Sequence, residues 1–218
     1  MSGFEPKMPD GYYTVSVVDK FKDMPNVNYD TKLYQRNPEV QGKLSLNHIE
    51  FIEFYVRLLK PVNFIELGVQ FGECTKQICN LIPGQYIGVD IQSNSNIEYL
   101  SKHFPNFEFN HMDTNTFFNN NKDNLKLEMA FIDASHTHED TYNDFLNIKD
   151  HMVNDGFIFF HDCYPYSEYW TSKTLCGDGY KTSELIRKKH GDEFEILTIP
   201  CNPGISVARK CVRQLDWL

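Results

Sequence analysis

The sequence has no apolar run long enough to span a bilayer. It also lacks any excess of basic residues: 21 Lys and Arg stand against 30 Asp and Glu, a formal net charge of −9. That removes a whole-protein basic footprint, and with it nucleic acid or an anionic membrane surface as the expected main partner. The six cysteines, Cys74, Cys79, Cys163, Cys176, Cys201 and Cys211, include no C-x-x-C pair. They read as reduced thiols of a cytoplasmic protein rather than as a disulfide framework. The opening MSGFEPKMPDGYY holds no apolar signal-peptide region. Internal repeats are missing, as is low-complexity sequence beyond FFNNNKDN. What remains is a 218-residue chain, 41% hydrophobic and 23% charged, the composition of a globular domain.

Two regions differ in pattern. Residues 1–44 are polar, with prolines and no clean period, and read as an arm or lid. Residues 45–218 alternate between strand and helix signals. SLNHIEFIEFYVRLLKP places Leu46, Ile49, Ile52, Val56 and Leu59 on one helical face, with Asn47 and Glu50 as a capping box and Pro61 as a stop. Strands follow at VNFIEL, QYIGVD, FEFNHMD, LEMAFID and GFIFFHD, and a final pair at FEILTIP and GISVARK. Helices between them include GECTKQICNLI, SNIEYLSKHF opened by Ser95, TNTFFNN, HEDTYNDFLNIKDHM and YKTSELIRKKH. Apolar strands in β-α-β-α order predict an α/β fold: a mostly parallel seven-stranded sheet with helices on both faces.

In such sheets, ligands bind outside the carboxyl ends of the strands. Four of the first five strands end in an acid, Glu66, Asp90, Asp113 and Asp133, and the fifth ends in His161-Asp162. One charged strand end is ordinary solvation. Five along one sheet edge point to a site. The first strand runs into Gly68-x-x-x-Gly72 at the start of a helix. The spacing is not the G-x-G-x-x-G that admits a pyrophosphate, which disfavours a dinucleotide. A Gly-rich turn at a helix start suits a carboxylate. Glu66 would repel phosphate but face an ammonium or sulfonium, and an acid about twenty residues on, Asp90, suits ribose hydroxyls. A ligand with ribose, carboxylate and positive charge matches S-adenosylmethionine.

On these residues the sequence resembles the class I S-adenosylmethionine-dependent methyltransferases, with a Rossmann-like fold. FIELGVQFGECT is similar to their first motif, GVD to their ribose acid, and HMDT to the segment that contacts adenine. The resemblance covers roughly Leu46 to Lys210. It implies a cofactor set of Glu66, Gly68, Gly72, Asp90, Ile91, Asp113, Thr114 and Asp133. Downstream, FIDASHTHEDTYNDF and DGFIFFHDCY resemble the small-molecule and sugar O-methyltransferases. The plainer readings stand beside these: Gly68 and Gly72 as tight-turn glycines, Asp90 and Asp113 as helix caps.

Methyl transfer to oxygen is an in-line displacement, so an enzyme must place the hydroxyl and remove its proton. His136 and His161 are the candidate bases, with Asp162 beside them; His136 is favoured because its loop has freedom to reach across a methyl group. Asp133 and Asp162 are candidate ligands of a hard cation. In the catechol-type and macrolide-sugar methyltransferases that the chain resembles, acids at these two tips hold magnesium, which implies Mg²⁺ or Mn²⁺ here. Two positions depart from that pattern. Cys163 stands where the catechol-type enzymes have a metal-binding asparagine, and His161 where some sugar enzymes have an acid. His138, Glu139 and Asp140 read as the first turn of a solvated helix. The His138-x-Asp140 of iron oxygenases would need a double-stranded β-helix, against the β-α order. His136-x-His138 lacks further ligands at zinc spacing.

The aromatic segment after the fifth strand, with Tyr164, Tyr166, Tyr169 and Trp170, reads as a flap over the acceptor or as core closure. The arm's Tyr12, Tyr13, Tyr29 and Tyr34 would suit the same cover. The expected acceptor is a small molecule, first a sugar or glycan hydroxyl and otherwise a non-sugar. Asparagine content and compactness suit a viral or AT-rich source, or a domain of a larger glycan-building protein; a homo-oligomer stays open. A different enzyme on this scaffold, NAD-linked for example, and a non-catalytic cofactor-binding module are the competing function classes.

Overall fold

The computed structural model describes residues 48–121, 125–165, 167–200 and 204–211. The expected arm, Asn47 of the capping box, Tyr166 and Cys201 lie outside the described residues. The elements run α1 (His48–Leu59), β1 (Phe64–Leu67), α2 (Glu73–Ile78), β2 (Tyr86–Asp90), α3 (Ser95–His103), β3 (Phe107–His111), α4 (Thr114–Asn120), β4 (Leu127–Ile132), α5 (His138–Lys149), β5 (Met152–Phe160), α6 (Lys181–Lys189), β6 (Phe194–Ile199) and β7 (Ile205–Lys210). The seven strands form one sheet in the order β3-β2-β1-β4-β5-β7-β6. The pairs from β3 to β5 are parallel, while β7 runs antiparallel to both of its neighbours.

Burial on both faces explains the apolar strands. Alternate residues of β1, β2, β4 and β5 enter two cores. Phe64, Tyr86, Met129, Phe131 and Phe159 pack with Ile52 and Val56 of α1, Ile78 of α2, and Ile97 and Leu100 of α3. Ile65, Ile87, Ala130, Ile132 and Ile158 pack with Phe117 of α4, Phe145 and Ile148 of α5, and Ile186 of α6. Helices α1–α3 therefore cover one face and α4–α6 the other. Strand order reverses between β1 and β4, and this switch point opens the crevice for a ligand at their carboxyl ends.

Four local expectations change. In α1 the buried stripe is His48, Ile52 and Val56, and Leu59 is exposed. The second helix stops at Ile78 and tightens into a 3₁₀ turn, Cys79–Leu81, before Pro83. The cap of α3 is Asn94, whose side chain accepts from Asn96 N and Ile97 N, and Ser95 is the first helical residue. Strand β5 begins at Met152 rather than Gly156, because a register shift near Leu127 and Met129 absorbs the extra residues and Asp155 turns at φ 62°.

Candidate active site at the β1/β4 switch point

A cavity of about 620 Å³ lies over the carboxyl ends of the strands. Gly68 forms its floor at the end of β1. Its φ is +88°, and a Cβ there would sit 2.3 Å from the Asp133 carbonyl oxygen. Only glycine lets the β1 and β4 exits approach this closely, so the turn residue and Asp133 are set by one contact. Asp90, the last residue of β2, ties the turn down: its Oδ2 accepts from Val69 N and Gln70 N, each at 2.8 Å, and Oδ1 accepts from Gln92 N at 2.8 Å. Asp90 also lines the cavity. A carboxylate offers about four acceptor positions, so capacity remains for a ligand hydroxyl.

Ile91, Asp113 and Thr114 line the same wall. Asp113 is in addition the cap of α4, accepting from Thr116 N and Thr116 Oγ1. Those hydrogen bonds hold its carboxyl below the usual range. Thr114 donates to Asp144 Oδ1 at 2.5 Å. Asp144, on α5, is buried and lines the cavity. Burial pushes its carboxyl up to about 6 against the pull of the Thr114 hydrogen bond. Asp144 is not among the residues expected from the sequence, although its place three residues past Thr141 on the buried face of α5 is a signal of a carboxyl turned inward.

At the other end of the cavity four groups converge. Asp133 follows β4 directly, and its Oδ1 accepts from His161 Nδ1 at 2.9 Å. Asp162 Oδ2 lies 3.6 Å from His161 Nδ1 and 3.3 Å from His136 Nε2. Asp162 takes a left-handed backbone, φ 57°, which an aspartate tolerates better than a branched residue. His161 is the fixed point of the cluster. Burial opposes its charge, but the Asp133 and Asp162 carboxylates outweigh burial and raise it to about 9. The same pairing holds Asp133 below the usual range despite burial, whereas burial raises Asp162. His136, on the loop before α5, is the more open histidine, with 39% of its side chain exposed.

Behind His161 stands a residue the sequence reading did not single out. His48 is buried in α1, its Nδ1 3.1 Å from His161 Nε2 and its ring 6.0 Å from Phe131. The signal was present: His48, Ile52 and Val56 stand at i, i+4 and i+8, so a histidine occupies the apolar stripe.

Two expected cofactor residues do not line the cavity. Glu66 is 2% exposed, with its Oε2 accepting from Thr75 Oγ1 at 2.6 Å and Tyr86 Oη at 2.7 Å. Burial raises its carboxyl to about 8, which favours the neutral form at neutral pH. Gly72 takes φ +77° at the start of α2, and its missing Cβ makes room for Leu100 of α3; it serves helix packing. Cys163 points into the core, donating to the His161 carbonyl oxygen at 3.2 Å, and belongs to neither cluster of possible metal donors found among the described residues. In the aromatic segment Trp170 lines the cavity, while Tyr164 and Tyr169 are exposed. His138 begins α5 and pairs with Asp178 through Nδ1 at 2.7 Å, in a structural role.

Residues 65–163 match the family model described as a methyltransferase domain. No curated protein matches the chain. Among solved structures it is similar to the SAH-bound methyltransferase PaMTH1 of Podospora anserina, with a TM-score of 0.61 and 13% identity over 96% of this chain and 99% of that one. The O-methyltransferase TomG of Streptomyces achromogenes, in complex with SAM, gives 0.59 and 11% over 89% and 96%. An O-methyltransferase of Bacillus cereus with SAH gives 0.58 and 14% over 88% and 87%. At these identities the likeness speaks for the fold. The fold is the one these methyltransferase structures share, and residues 65–163 of the chain are similar to a methyltransferase domain.

Proposed function

We propose that the chain transfers the methyl group to a hydroxyl oxygen of a small molecule, with His136 as general base. One observation carries the reading: a single cavity has Asp90 at one end and the cluster of Asp133, His136, His161 and Asp162 at the other. Bound S-adenosylmethionine supplies a methyl group on a sulfonium sulfur, whose thioether leaves readily. The chain's own task is to hold the acceptor oxygen in line and take its proton. With Nε2 of His136 turned toward Asp162, Nδ1 is the atom that accepts the proton. The imidazolium so formed is charge-paired with Asp162. His161 serves to place Asp133 and Asp162, because both of its ring nitrogens are engaged, with Asp133 and with His48. Small-molecule acceptors also fit one structural neighbour, TomG, which is involved in tomaymycin synthesis. A sugar and a non-sugar acceptor are both compatible with this site.

Mass spectrometry of hydroxylated acceptors incubated with the protein and S-adenosylmethionine tests the reaction: a methyl increment supports it, and none across sugars, catechols and hydroxylated acids refutes it. The cofactor end has its own test. Asp90→Ala removes an acid that both anchors the Gly68 turn and faces the cavity. Calorimetry with S-adenosylhomocysteine is expected to show affinity weaker by roughly 1.5–3 kcal/mol, the worth of charge-assisted hydrogen bonds. Unchanged affinity in a folded variant would remove Asp90 from the cofactor set.

A second reading adds a divalent ion. Donor atoms of Asp133, His136 and Asp162 lie within 4.8 Å of one another, as do those of His48, Asp133 and His161. Two carboxylates and an imidazole fit such an ion, and the nitrogen donor suits Mn²⁺ better than Mg²⁺. Asp133, His136 and Asp162 would hold it, and it would supply Lewis acidity to the acceptor oxygen. Turnover in EDTA separates the two readings: it persists with a histidine base alone, and it stops and returns with Mn²⁺ if the ion is required.

A further inference from the structure

A second cavity, of about 610 Å³, lies beside the first. The two share Ala134, Ser135 and His136 as a common wall. We propose that this second cavity is the acceptor site and that it takes a polyhydroxylated molecule of the sugar class. The proposal rests on the methyltransferase reading above and deepens it.

Displacement in line requires the acceptor to approach the methyl group from the side opposite the sulfur. The acceptor therefore needs a space of its own, adjacent to the cofactor's and open to it. The second cavity meets that condition at the residue that takes the proton: His136 belongs to both walls. Its other boundary is the segment after β5, which is tied to the His136 loop at several points. Asp178 N donates to the His136 carbonyl oxygen at 3.0 Å, and His138 N donates to Asp178 Oδ1 at 2.8 Å. Gly177, at φ +56°, passes so close that a Cβ would sit 2.0 Å from the His136 carbonyl oxygen. The space is thus framed by fixed backbone rather than by side chains alone.

Its chemistry sets the class of acceptor. Apart from the shared wall, the lining is Thr137, Glu139, Thr171 and Lys173 with the His138–Asp178 pair and Gly177. Among the described residues it holds no Phe, Tyr, Trp, Leu, Ile or Val side chain. Pockets for flat aromatic ligands are lined mainly by such groups. Here hydroxyls, two carboxylates and an ammonium line the space instead, offering both donors and acceptors to a polyol. Trp170, Leu175 and Met112 belong to the first cavity. An aromatic acceptor would be drawn there.

The test uses the full chain saturated with S-adenosylhomocysteine and follows backbone amide shifts by NMR. The probes are methyl α-D-glucopyranoside and myo-inositol as polyols and catechol as the aromatic arm. The expected result is that a polyol shifts the amides of Thr137, Glu139, Thr171 and Lys173, and that Glu139→Gln or Lys173→Met weakens it about tenfold without changing S-adenosylhomocysteine affinity. Overturning results are distinct. If neither polyol shifts these amides at high millimolar concentration, or if catechol alone binds and does so beside Trp170, the acceptor assignment falls while the methyltransferase reading stands. If S-adenosylhomocysteine itself fails to bind, that reading falls and takes the acceptor site with it.

Discussion

His136→Ala is expected to lower kcat by about 10²–10⁴ while leaving S-adenosylhomocysteine affinity close to that of the unaltered protein. The size is that of a positioned proton transfer removed from the transition state. The selectivity follows from the geometry. Cofactor contacts are expected from Gly68, Asp90, Ile91 and the Asp113–Thr114 wall, and His136 is not among them. The side chain is substantially exposed and its ring is not a core group, so truncation leaves the fold standing. His161→Ala should behave differently. That ring is buried against Asp133 and His48, and its charge balances Asp133 and Asp162. Its loss leaves two carboxylates facing one cavity without their cation, and folded protein as well as rate should fall. A group that already holds its proton to about 9 is also poorly suited to take another near neutrality. Single-turnover rates and thermal unfolding of both variants make the comparison. Equal turnover in His136→Ala and the unaltered protein, on an acceptor verified by mass spectrometry, would remove the histidine base from the mechanism.

Much of this site was legible because each strand end is punctuated. An apolar run closed by an acid marks both where a strand stops and which edge of the sheet it reaches, and Asp90, Asp113 and Asp133, expected at that edge by this rule and by motif resemblance, all line the cavity. Glu66 obeyed the same rule in the sequence and not in the structure, and the reason is depth. In register, Glu66 lies level with Gly88 of β2 and Phe131 of β4, two residues below Asp90 and Asp133. Gly68 continues past it before the chain turns, so the carboxyl stays inside the sheet beneath α2. Sequence shows where a strand's apolar run ends, but the stagger between neighbouring strands appears only once they pair. Long-range partners were equally hidden. His48 meets His161 across 113 residues of chain, and His138 meets Asp178 across 40. No local pattern encodes those meetings; they follow from α1 crossing behind β4 and from the segment after β5 folding back on the His136 loop. The second cavity is a product of that same fold-back.

Glu66→Gln is expected to stabilise the protein increasingly as pH rises from about 4.5 to about 8. The native carboxyl is buried among Phe64, Tyr86 and Cys74, and burial raises it to about 8 from an ordinary value of 4.5. The sign follows from the proton balance. Below the ordinary value, both the folded and the unfolded chain carry the neutral carboxyl, and its contribution to stability is fully present. Between the two values the unfolded chain releases the proton and the folded chain keeps it, so stability is lost as pH rises. Above about 8 both forms are ionised and the loss levels off. The whole span is worth on the order of 3–5 kcal/mol, at about 1.4 kcal/mol per pH unit. Glutamine has the shape of the protonated acid but does not titrate. Its amide oxygen can accept from the Thr75 and Tyr86 hydroxyls, which both donate to one oxygen of Glu66. Urea unfolding at about pH 5 and about pH 8 measures the effect as a difference between the two proteins, which cancels every other titrating group. A gap that widens by a few kcal/mol toward pH 8 places a neutral carboxyl beneath the cofactor turn. A gap that stays constant would mean that Glu66 is ionised in the folded protein, and the sheet-depth explanation for its absence from the cavity would fail with it.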